Sequence, residues 1–249
     1  MSLATVMTEP VRFHAASPSS GHRCGSCAAR ALSICGAMRT EDLGRLAAVK
    51  VTQQVEPGET FIDESEPATH FFNVTEGAVK VYKLLPDGRR QVTGFLFGGD
   101  LLGLAFNGTY IYSAEALTPV TICRFPRRQL DRLLDDFPSM EKRMLAMASN
   151  ELAAAQEQMM LLGRKTAHER IASFLLALAG RQERLGGDGD MVQLPMTRTD
   201  IADYLGLTTE TVSRVFTSLK KRGWIVLRSN GEVQLSDRGA IEELATGLE

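Results

Sequence analysis

The 249-residue sequence predicts an α+β fold with an N-terminal all-β sandwich or roll, one long helix, and a C-terminal group of helices with a small β-wing. Three observations predict this order. Short runs of strand formers alternate with turn residues from about Val49 to Phe125. Strong helix formers without glycine run from Ser139 to Leu162, and a helix-turn-helix pattern occupies residues 198 to 217.

Composition places the chain among ordinary soluble proteins, with 44% hydrophobic and 23% charged residues. No run of about 18 apolar residues predicts a membrane helix. Residues 1 to 21, which we expect to be flexible, lack the basic start and apolar stretch of a secretory leader. We therefore expect a cytoplasmic protein without a membrane partner.

The β region is identified by its turns. Between Val49 and Phe125, runs rich in Val, Ile, Phe, Tyr and Thr are separated by short sequences of turn-forming residues. These sequences are Glu56-Pro57-Gly58, Glu66-Pro67, Glu76-Gly77, Pro86-Asp87-Gly88 and Gly98-Gly99-Asp100. Closely spaced strands with such turns are typical of a sandwich or a roll.

The long helix carries an apolar series at alternating spacings of three and four residues, made up of Leu145, Ala148, Leu152, Ala155, Met159 and Leu162. Such a series is either a seam along which two helices pack or the face of a single helix lying on its own domain, and spacing alone does not decide between them. Gly163 and Arg164 are predicted to interrupt this helix, and a second helix is predicted from Ala167 to Arg181.

The helix-turn-helix pattern meets the packing requirements of that motif. Ala202 is small where two helices touch, Gly206 stands at the turn, and Thr208 can cap the second helix with its hydroxyl. Asn230-Gly231 between two short apolar runs predicts the hairpin of a wing.

The second helix of this motif is predicted to read double-stranded DNA. The net charge of −2 does not favour nucleic acid, but the basic residues from Thr211 to Gly231 are interrupted by no acidic one. The exposed face carries side chains suited to base edges in the major groove, namely Glu210, Ser213, Arg214 and Thr217. Phosphate contacts are predicted for Lys220, Lys221, Arg222 and Arg228. The competing interpretation is a winged domain that binds protein.

The chain has four cysteines, Cys24, Cys27, Cys35 and Cys123. Disulfides are not expected in a reducing compartment, whereas four thiolates suit either tetrahedral zinc or an iron-sulfur cluster. Structural zinc sites more often have two Cys-x2-Cys pairs than one pair and two single cysteines. The spacing therefore favours an iron-sulfur cluster but leaves zinc open. Cys123, taken alone, is equally well interpreted as a small buried hydrophobe.

Further stretches carry a family resemblance: Gln91-Val92-Thr93-Gly94-Phe95, Gly98-Gly99-Asp100-Leu101-Leu102-Gly103, Ala167-His168-Glu169-Arg170-Ile171 and Glu210-Thr211-Val212-Ser213-Arg214. With the cysteines, they resemble the CRP/FNR family of bacterial transcription regulators and its oxygen-sensing branch. The resemblance implies a flexible cysteine-bearing segment (1–38), a cyclic-nucleotide-binding-like β-roll sensor domain (39–137), a dimerisation helix (138–163) and a winged helix-turn-helix DNA-binding domain (164–249). The apolar series of the long helix is then the seam of a homodimer.

The resemblance also implies a cofactor. Members of that branch hold a [4Fe-4S] cluster on three N-terminal cysteines and a fourth in the roll, a pattern that Cys24, Cys27, Cys35 and Cys123 fill. The implied protein binds palindromic TTGAT-type DNA when oxygen is absent, works with RNA polymerase, and releases DNA when oxygen destroys the cluster. The alternative is a regulator of the same fold with structural zinc, or without metal, that responds to a different signal.

Neither a cyclic nucleotide nor an enzymatic activity is expected. The nucleotide-binding branch uses a glutamate for the ribose and an arginine for the phosphate. Here Leu104 follows Gly103, and Tyr112-Ser113-Ala114-Glu115 stands at the arginine position. A buried phosphate without a cation would be costly. The chain contains no recognisable phosphate-cradling glycine loop and no nucleophile-and-base arrangement.

Overall fold

A computed structural model of the chain describes residues 24–184 and 186–247. The N-terminal segment predicted to be flexible, residues 1 to 21, lies outside the described residues. The described elements run in the order of a cysteine-bearing segment, a β-roll, two helices and a C-terminal domain. In the part that the structure describes, no helix is both long enough and apolar enough to span a bilayer.

The N-terminal domain is a β-roll, as the turn pattern predicts. Its strands are β1 (Val51–Val55), β2 (Thr60–Ile62), β3 (His70–Glu76), β4 (Ala78–Leu84), β5 (Arg90–Phe97), β6 (Leu101–Leu102), β7 (Ala105–Phe106), β8 (Thr109–Tyr110), β9 (Ser113–Ala116) and β10 (Val120–Pro126). One antiparallel sheet has the order β1-β10-β3-β6 and the other the order β2-β9-β4-β5. Inward-facing side chains such as Val74, Val79 and Ile122 form the roll's core.

The cysteine-bearing segment precedes the roll. Residues 24–38, called the cysteine strap below, contain two short 3₁₀ helices, Cys24–Ser26 and Ile34–Ala37. A third, Thr40–Asp42, leads into helix α1 (Leu43–Val49). The strap is held by its apolar residues, because Ile34 and Met38 are buried in a hydrophobic cluster that also contains Leu46 of α1 and Phe125 of β10.

Two helices connect the roll to the C-terminal domain. Helix α2 (Arg127–Asp136), which the sequence pattern did not predict, buries Leu130 and Leu133. Helix α3 (Pro138–Arg164) confirms the predicted long helix. The predicted interruption by Gly163 and Arg164 is wrong, because both residues are helical. One glycine near a helix end costs only about 1 kcal/mol, and the neighbouring Leu161 is buried in the C-terminal core.

The C-terminal domain is a winged helix-turn-helix, as predicted. It contains α4 (Ala167–Arg184), β11 (Met191–Gln193), α5 (Arg198–Leu205), α6 (Thr209–Lys221), β12 (Ile225–Leu227), β13 (Glu232–Leu235) and α7 (Arg238–Thr246). The three strands form an antiparallel sheet of order β11-β13-β12. At the hairpin tip Asn230 and Gly231 have φ of 64° and 77°, the left-handed conformation that the sequence pair favours.

A buried group of charges, called the interdomain ion cluster below, joins the roll to the C-terminal domain. Lys80 of β4 lies 2.8 Å from a carboxylate oxygen of Glu115 and 3.0 Å from one of Asp200, at the start of α5. Arg90 of β5 contacts both Asp200 and Asp203 at 3.0 Å. Only 5% of Lys80 and 3% of Asp200 are exposed, so these charges depend on one another for solvation.

Asp200 also holds the start of α5 together. Its carboxylate accepts hydrogen bonds from the backbone N–H and the hydroxyl of Thr197, and the Thr197 hydroxyl accepts from the N–H of Asp200. Burial by itself raises the pKa of this carboxyl, but the hydrogen bonds from Thr197 and Lys80 outweigh it and hold the pKa below its ordinary value. Asp200 therefore stays ionised and keeps attracting Lys80 and Arg90.

Replacing Lys80 by alanine should lower the free energy of unfolding by about 3 kcal/mol, because Glu115 and Asp200 would remain buried without their shared cation. Urea denaturation measures the loss. Lys83→Ala is the matched control, because Lys83 is on the same strand as Lys80 and pairs with Glu64 at 2.7 Å, but its side chain is half exposed. The loss of this pair should cost less than about 1 kcal/mol. Equal losses in the two variants would contradict the interdomain role of Lys80.

Candidate metal centre and DNA-reading helix

The fourth cysteine occupies the middle of a sheet. Cys123 is on β10, which pairs with β1 on one side and β3 on the other. Thr52 and Asn73 are its partners in register on those two strands. Directly opposed residues of an antiparallel sheet point to the same face, so Cys123 is flanked by two polar side chains.

The cysteine strap brings the other three cysteines to that face. Ser33, which is buried, caps the 3₁₀ helix that carries Cys35, because its hydroxyl accepts the Cys35 N–H at 3.3 Å. All four cysteines line one pocket, together with Arg30, Ser33, Lys50, Thr52, Asn73, Thr75 and Phe125. The structure thus places Cys35 and Cys123, which are almost 90 residues apart in the sequence, in one pocket. Within the ranges described, no three Cys, His, Asp or Glu side chains converge closely enough for a single-ion site.

The electrostatics of the pocket favour the neutral thiol at Cys35 and at Cys123. Burial raises the pKa of Cys35 to about 11, against a hydrogen bond from Ser33 that lowers it. Burial also raises the pKa of Cys123, against the opposing charge of the nearby Lys50 ammonium. Lys50 Nζ lies 3.8 Å from Cys123 Sγ and donates to Thr52 Oγ1 at 3.0 Å. A metal group must therefore displace protons when it binds, while Lys50 stabilises the thiolate of Cys123.

The pocket residues fit an iron-sulfur cluster in two respects. The donors are four soft sulfurs, and the residues that line the pocket include no carboxylate or imidazole. Asn73 is 2% exposed, and its Oδ1 has no hydrogen-bond partner in the described ranges. Its Nδ2 donates to the Val74 carbonyl oxygen at 3.2 Å, so the second N–H of this amide is the group that could serve a sulfur acceptor.

Tyr112 is the first residue of the stretch Tyr112-Ser113-Ala114-Glu115, which stands where the resemblance puts the phosphate arginine of nucleotide-binding relatives. Its buried hydroxyl accepts the backbone N–H of Gly103 at 3.0 Å. Burial raises the pKa of Tyr112 to about 12, so this hydroxyl remains protonated and neutral. The position therefore carries a neutral group that is already hydrogen-bonded within the roll.

The helix that the sequence predicts to read DNA is α6. Thr208 caps it as predicted, with the Thr211 N–H donating to the Thr208 hydroxyl at 3.1 Å. Gly206 has φ of 62° and ends the preceding helix, a conformation that glycine adopts without strain. Apolar residues of α6, including Val212 and Val215, pack against the domain core next to Ala202. These contacts fix which face of α6 is turned outward.

The predicted base-reading residues all lie on that outward face, and all four are exposed: Glu210, Ser213, Arg214 and Thr217. In the free protein their polar groups use local partners. The hydroxyls of Ser213 and Thr217 donate to helix carbonyls at 2.9 Å, and Arg214 lies 3.8 Å from Glu210. Exposed interactions of this kind are weak, so the groups are available to a base edge. Their role in base reading stays a prediction.

The predicted phosphate-binding residues surround the end of α6. Lys220 and Lys221 are exposed in its last turn, and the Arg222 guanidinium stacks over the Trp224 ring at 4.6 Å. Arg228, at the wing, donates to Gln234 at 2.7 Å and is exposed. Three of the four cations thus lie at the end of α6 and the fourth on the wing, and their role in binding phosphate stays a prediction.

Most of the apolar seam of α3 is exposed in the part of the chain that the structure describes. Leu145, Leu152 and Met159 are 69%, 62% and 69% exposed, and Ala155 is exposed as well. Ala148 is partly buried. Leu162 differs from the rest, because it packs against the C-terminal core. Four of the six side chains of the series are thus largely exposed, which favours the seam of a helix pair over a helix that lies on its own domain, and the seam stays a prediction.

Sequence reasoning missed Lys50 and Asn73. Asn73 could have been found from the sequence, because it is a polar residue in a strand-forming stretch, His70 to Val74, that is otherwise expected to be buried. A buried amide needs a hydrogen-bond partner. Lys50 carried no such sign, because a lysine between a helix and a strand is ordinarily a surface residue.

Two sequence families match the chain. Residues 52–137 match the cyclic nucleotide-binding domain, and residues 169–244 match the Crp-like helix-turn-helix domain. The first match covers most of the roll and α2, and the second covers most of the C-terminal domain.

Known proteins match over almost the full length. The nitrogen fixation regulation protein FixK of Bradyrhizobium diazoefficiens is 40% identical over 245 residues, which is 98% of this chain and 99% of the relative. The transcriptional activatory protein AadR of Rhodopseudomonas palustris is 42% identical over 226 residues, covering 90% and 94%. The structure of FixK2 from Bradyrhizobium japonicum superposes with a TM-score of 0.73 at 37% identity, covering 79% of this chain and 97% of that one. The chain therefore belongs to the CRP/FNR family of DNA-binding transcription regulators.

Proposed function

We propose that the protein is an oxygen-responsive transcription activator that binds TTGAT-type palindromic DNA as a homodimer and holds a [4Fe-4S] cluster on Cys24, Cys27, Cys35 and Cys123. One observation carries the cofactor proposal: cysteines from the strap and from the centre of a sheet line a single pocket. When bound, the cluster would supply an oxygen-labile link between four thiolates. The strap would then be attached to the roll through that link.

The exposed seam supports a second copy of this chain as the partner of α3. Leu145, Leu152 and Met159 recur every seven residues and are largely exposed, and Met160 beside them is 63% exposed. Four large apolar side chains along one helix are unusual on a solvated surface. A heptad series of this kind packs well against its own copy in a parallel pair of helices. Two such copies would present two α6 helices to successive major grooves.

The proposed partners on DNA follow from the same surfaces. Arg214 can donate two hydrogen bonds to guanine and Glu210 can accept from cytosine, which fits a specific half-site. The relatives named above include an activator, so RNA polymerase is the proposed protein partner. Tyr112 argues against a cyclic nucleotide, because its neutral hydroxyl already takes the Gly103 N–H.

Protein purified without air should contain about four irons and four acid-labile sulfides per chain, and both should be lost in air with loss of the visible absorbance. Elemental analysis for iron and zinc, a sulfide assay and the visible spectrum measure this. Cys123→Ser should not retain the full complement of iron. Stoichiometric zinc in wild-type protein, or no metal at all, would overturn the cofactor proposal and leave a DNA-binding regulator with a different signal.

Leu152→Glu should convert the anaerobic dimer into monomers, because it places a charge in the middle of an apolar seam. Sedimentation equilibrium measures the association. Glu157→Gln, an exposed position of α3 outside the predicted seam, is the control and should leave the dimer intact. A Leu152→Glu protein that stays dimeric would show that the partner uses another surface.

Arg214→Ala should weaken binding to a cognate site by about 1 to 3 kcal/mol and relax the preference at one base pair, since a bidentate contact to guanine is lost. Lys221→Ala should weaken binding to all sequences alike and reduce the salt dependence, since only a phosphate contact is lost. Fluorescence anisotropy with cognate and scrambled duplexes at several salt concentrations separates the two effects. Equal losses on both duplexes for Arg214→Ala would refute its assignment as a base reader.

A further inference from the structure

The cysteine strap is tied to the beginning of α3 by hydrogen bonds to its backbone. Arg143 Nη2 donates to the carbonyl oxygens of Ala31 at 3.3 Å and Leu32 at 2.9 Å. One turn earlier, the Ser139 hydroxyl donates to the carbonyl of Ala37 at 3.1 Å. Two side chains of α3 therefore hold the main chain of the segment that carries three of the cysteines.

The same contact has an apolar part. Ile34 and Met38 of the strap and Met140 of α3 belong to one hydrophobic cluster, and at most 4% of any of them is exposed. Met144 and Met147 pack against this cluster from the following turns of α3. The strap and the first turns of α3 thus share a core, with Arg143 at its edge.

The opposite side of the strap is fixed by the roll. Gly99 lies in the turn between β5 and β6 with φ of 101°, and a Cβ atom at this position would be 2.5 Å from Leu32 Cβ. The strap at Leu32 is therefore held between a glycine turn and Arg143. A movement of the strap at this point changes the contacts of α3, because the turn leaves no room on the other side.

Arg143 depends on the strap for its partners. Its Nε is buried and has no hydrogen-bond partner among residues 24–184 and 186–247. Both of its hydrogen bonds described above go to strap carbonyls. The exposed seam begins at Leu145, two residues further along the same helix.

We propose that Arg143 is a positioning residue that transmits the state of the strap to the dimer helix. When the strap is held on the roll, Arg143 is paired and the first turns of α3 are fixed next to the seam. When the strap is released, the guanidinium loses its partners, and the first turns of α3 are no longer held in the geometry that suits a second copy. This inference rests on the proposed function, since it names the route by which the cysteine site controls the dimer.

The test uses the full-length protein under anaerobic conditions. Arg143→Gln removes the charge and the paired donors, and Arg143→Lys keeps the charge but not the planar fork. Lys142→Gln is the matched control, because it removes the same charge from the adjacent, exposed position of α3. Three quantities are measured: iron and sulfide content, the dimer dissociation constant by sedimentation equilibrium, and amide hydrogen exchange of residues 28–38.

Arg143→Gln should keep at least most of its iron and sulfide, raise the dimer dissociation constant about tenfold and speed exchange in the strap, because charged hydrogen bonds are lost. Arg143→Lys should lie between wild type and Arg143→Gln, and Lys142→Gln should differ from wild type by less than twofold. After air exposure, wild type and Arg143→Gln should dimerise equally poorly, since the strap is then free in both.

Two results obtained with iron-loaded protein would overturn the inference. Unchanged dimerisation in iron-loaded Arg143→Gln would show that the contact does not reach the seam. An equal weakening before and after air exposure would show that Arg143 acts on the helix without the strap. Wild-type protein that carries no iron refutes the proposed function instead. In that case Arg143 is judged by hydrogen exchange alone, and identical exchange of residues 28–38 in wild type and Arg143→Gln refutes its role.

Discussion

The arrangement of the N-terminal half depends on one small apolar cluster. Ile34 from the strap, Phe125 from β10 and Met140 from α3 are fully buried together, although they come from distant parts of the chain. Removing these side chains from water contributes roughly 1.5 to 3 kcal/mol each. Because the cluster includes the strap, the strand that carries Cys123 and the first turns of α3, it sets the distance between the cysteine pocket and α3.

Charged residues have different roles between the two domains and on α6. Between the domains, Lys80 and Asp200 are almost fully buried, and each depends on the other for solvation. At α6 the charges are exposed and weakly paired, so a duplex can compete for them. The buried pair fixes α5 on the roll, and α5 supports α6. The orientation of α6 relative to the roll therefore depends on buried ion pairs that lie outside its exposed face.

Much of this organisation can be predicted from the sequence, because it depends on residues that are close together along the chain. Glu210, Ser213, Arg214 and Thr217 share an exposed face because helical periodicity places residues three and four apart together, and the glycine at position 206 and the cap at Thr208 define where that helix begins. The turns of the roll and the Asn230-Gly231 hairpin are local for the same reason. The end of α3 was predicted wrongly at Gly163, since packing of Leu161 overrides a weak local preference.

The sequence by itself thus determined most of the elements, the cysteine inventory and the residues displayed on α6, because each of these depends on neighbours within a few positions. Only the tertiary structure decided that Cys123 faces the same pocket as the strap, that Asn73 and Lys50 belong to that pocket, and that Arg143 holds the strap. It also showed that Leu145, Leu152 and Met159 of α3 are largely exposed among the described residues. These relations join residues dozens of positions apart, and they are set by which surfaces are buried together.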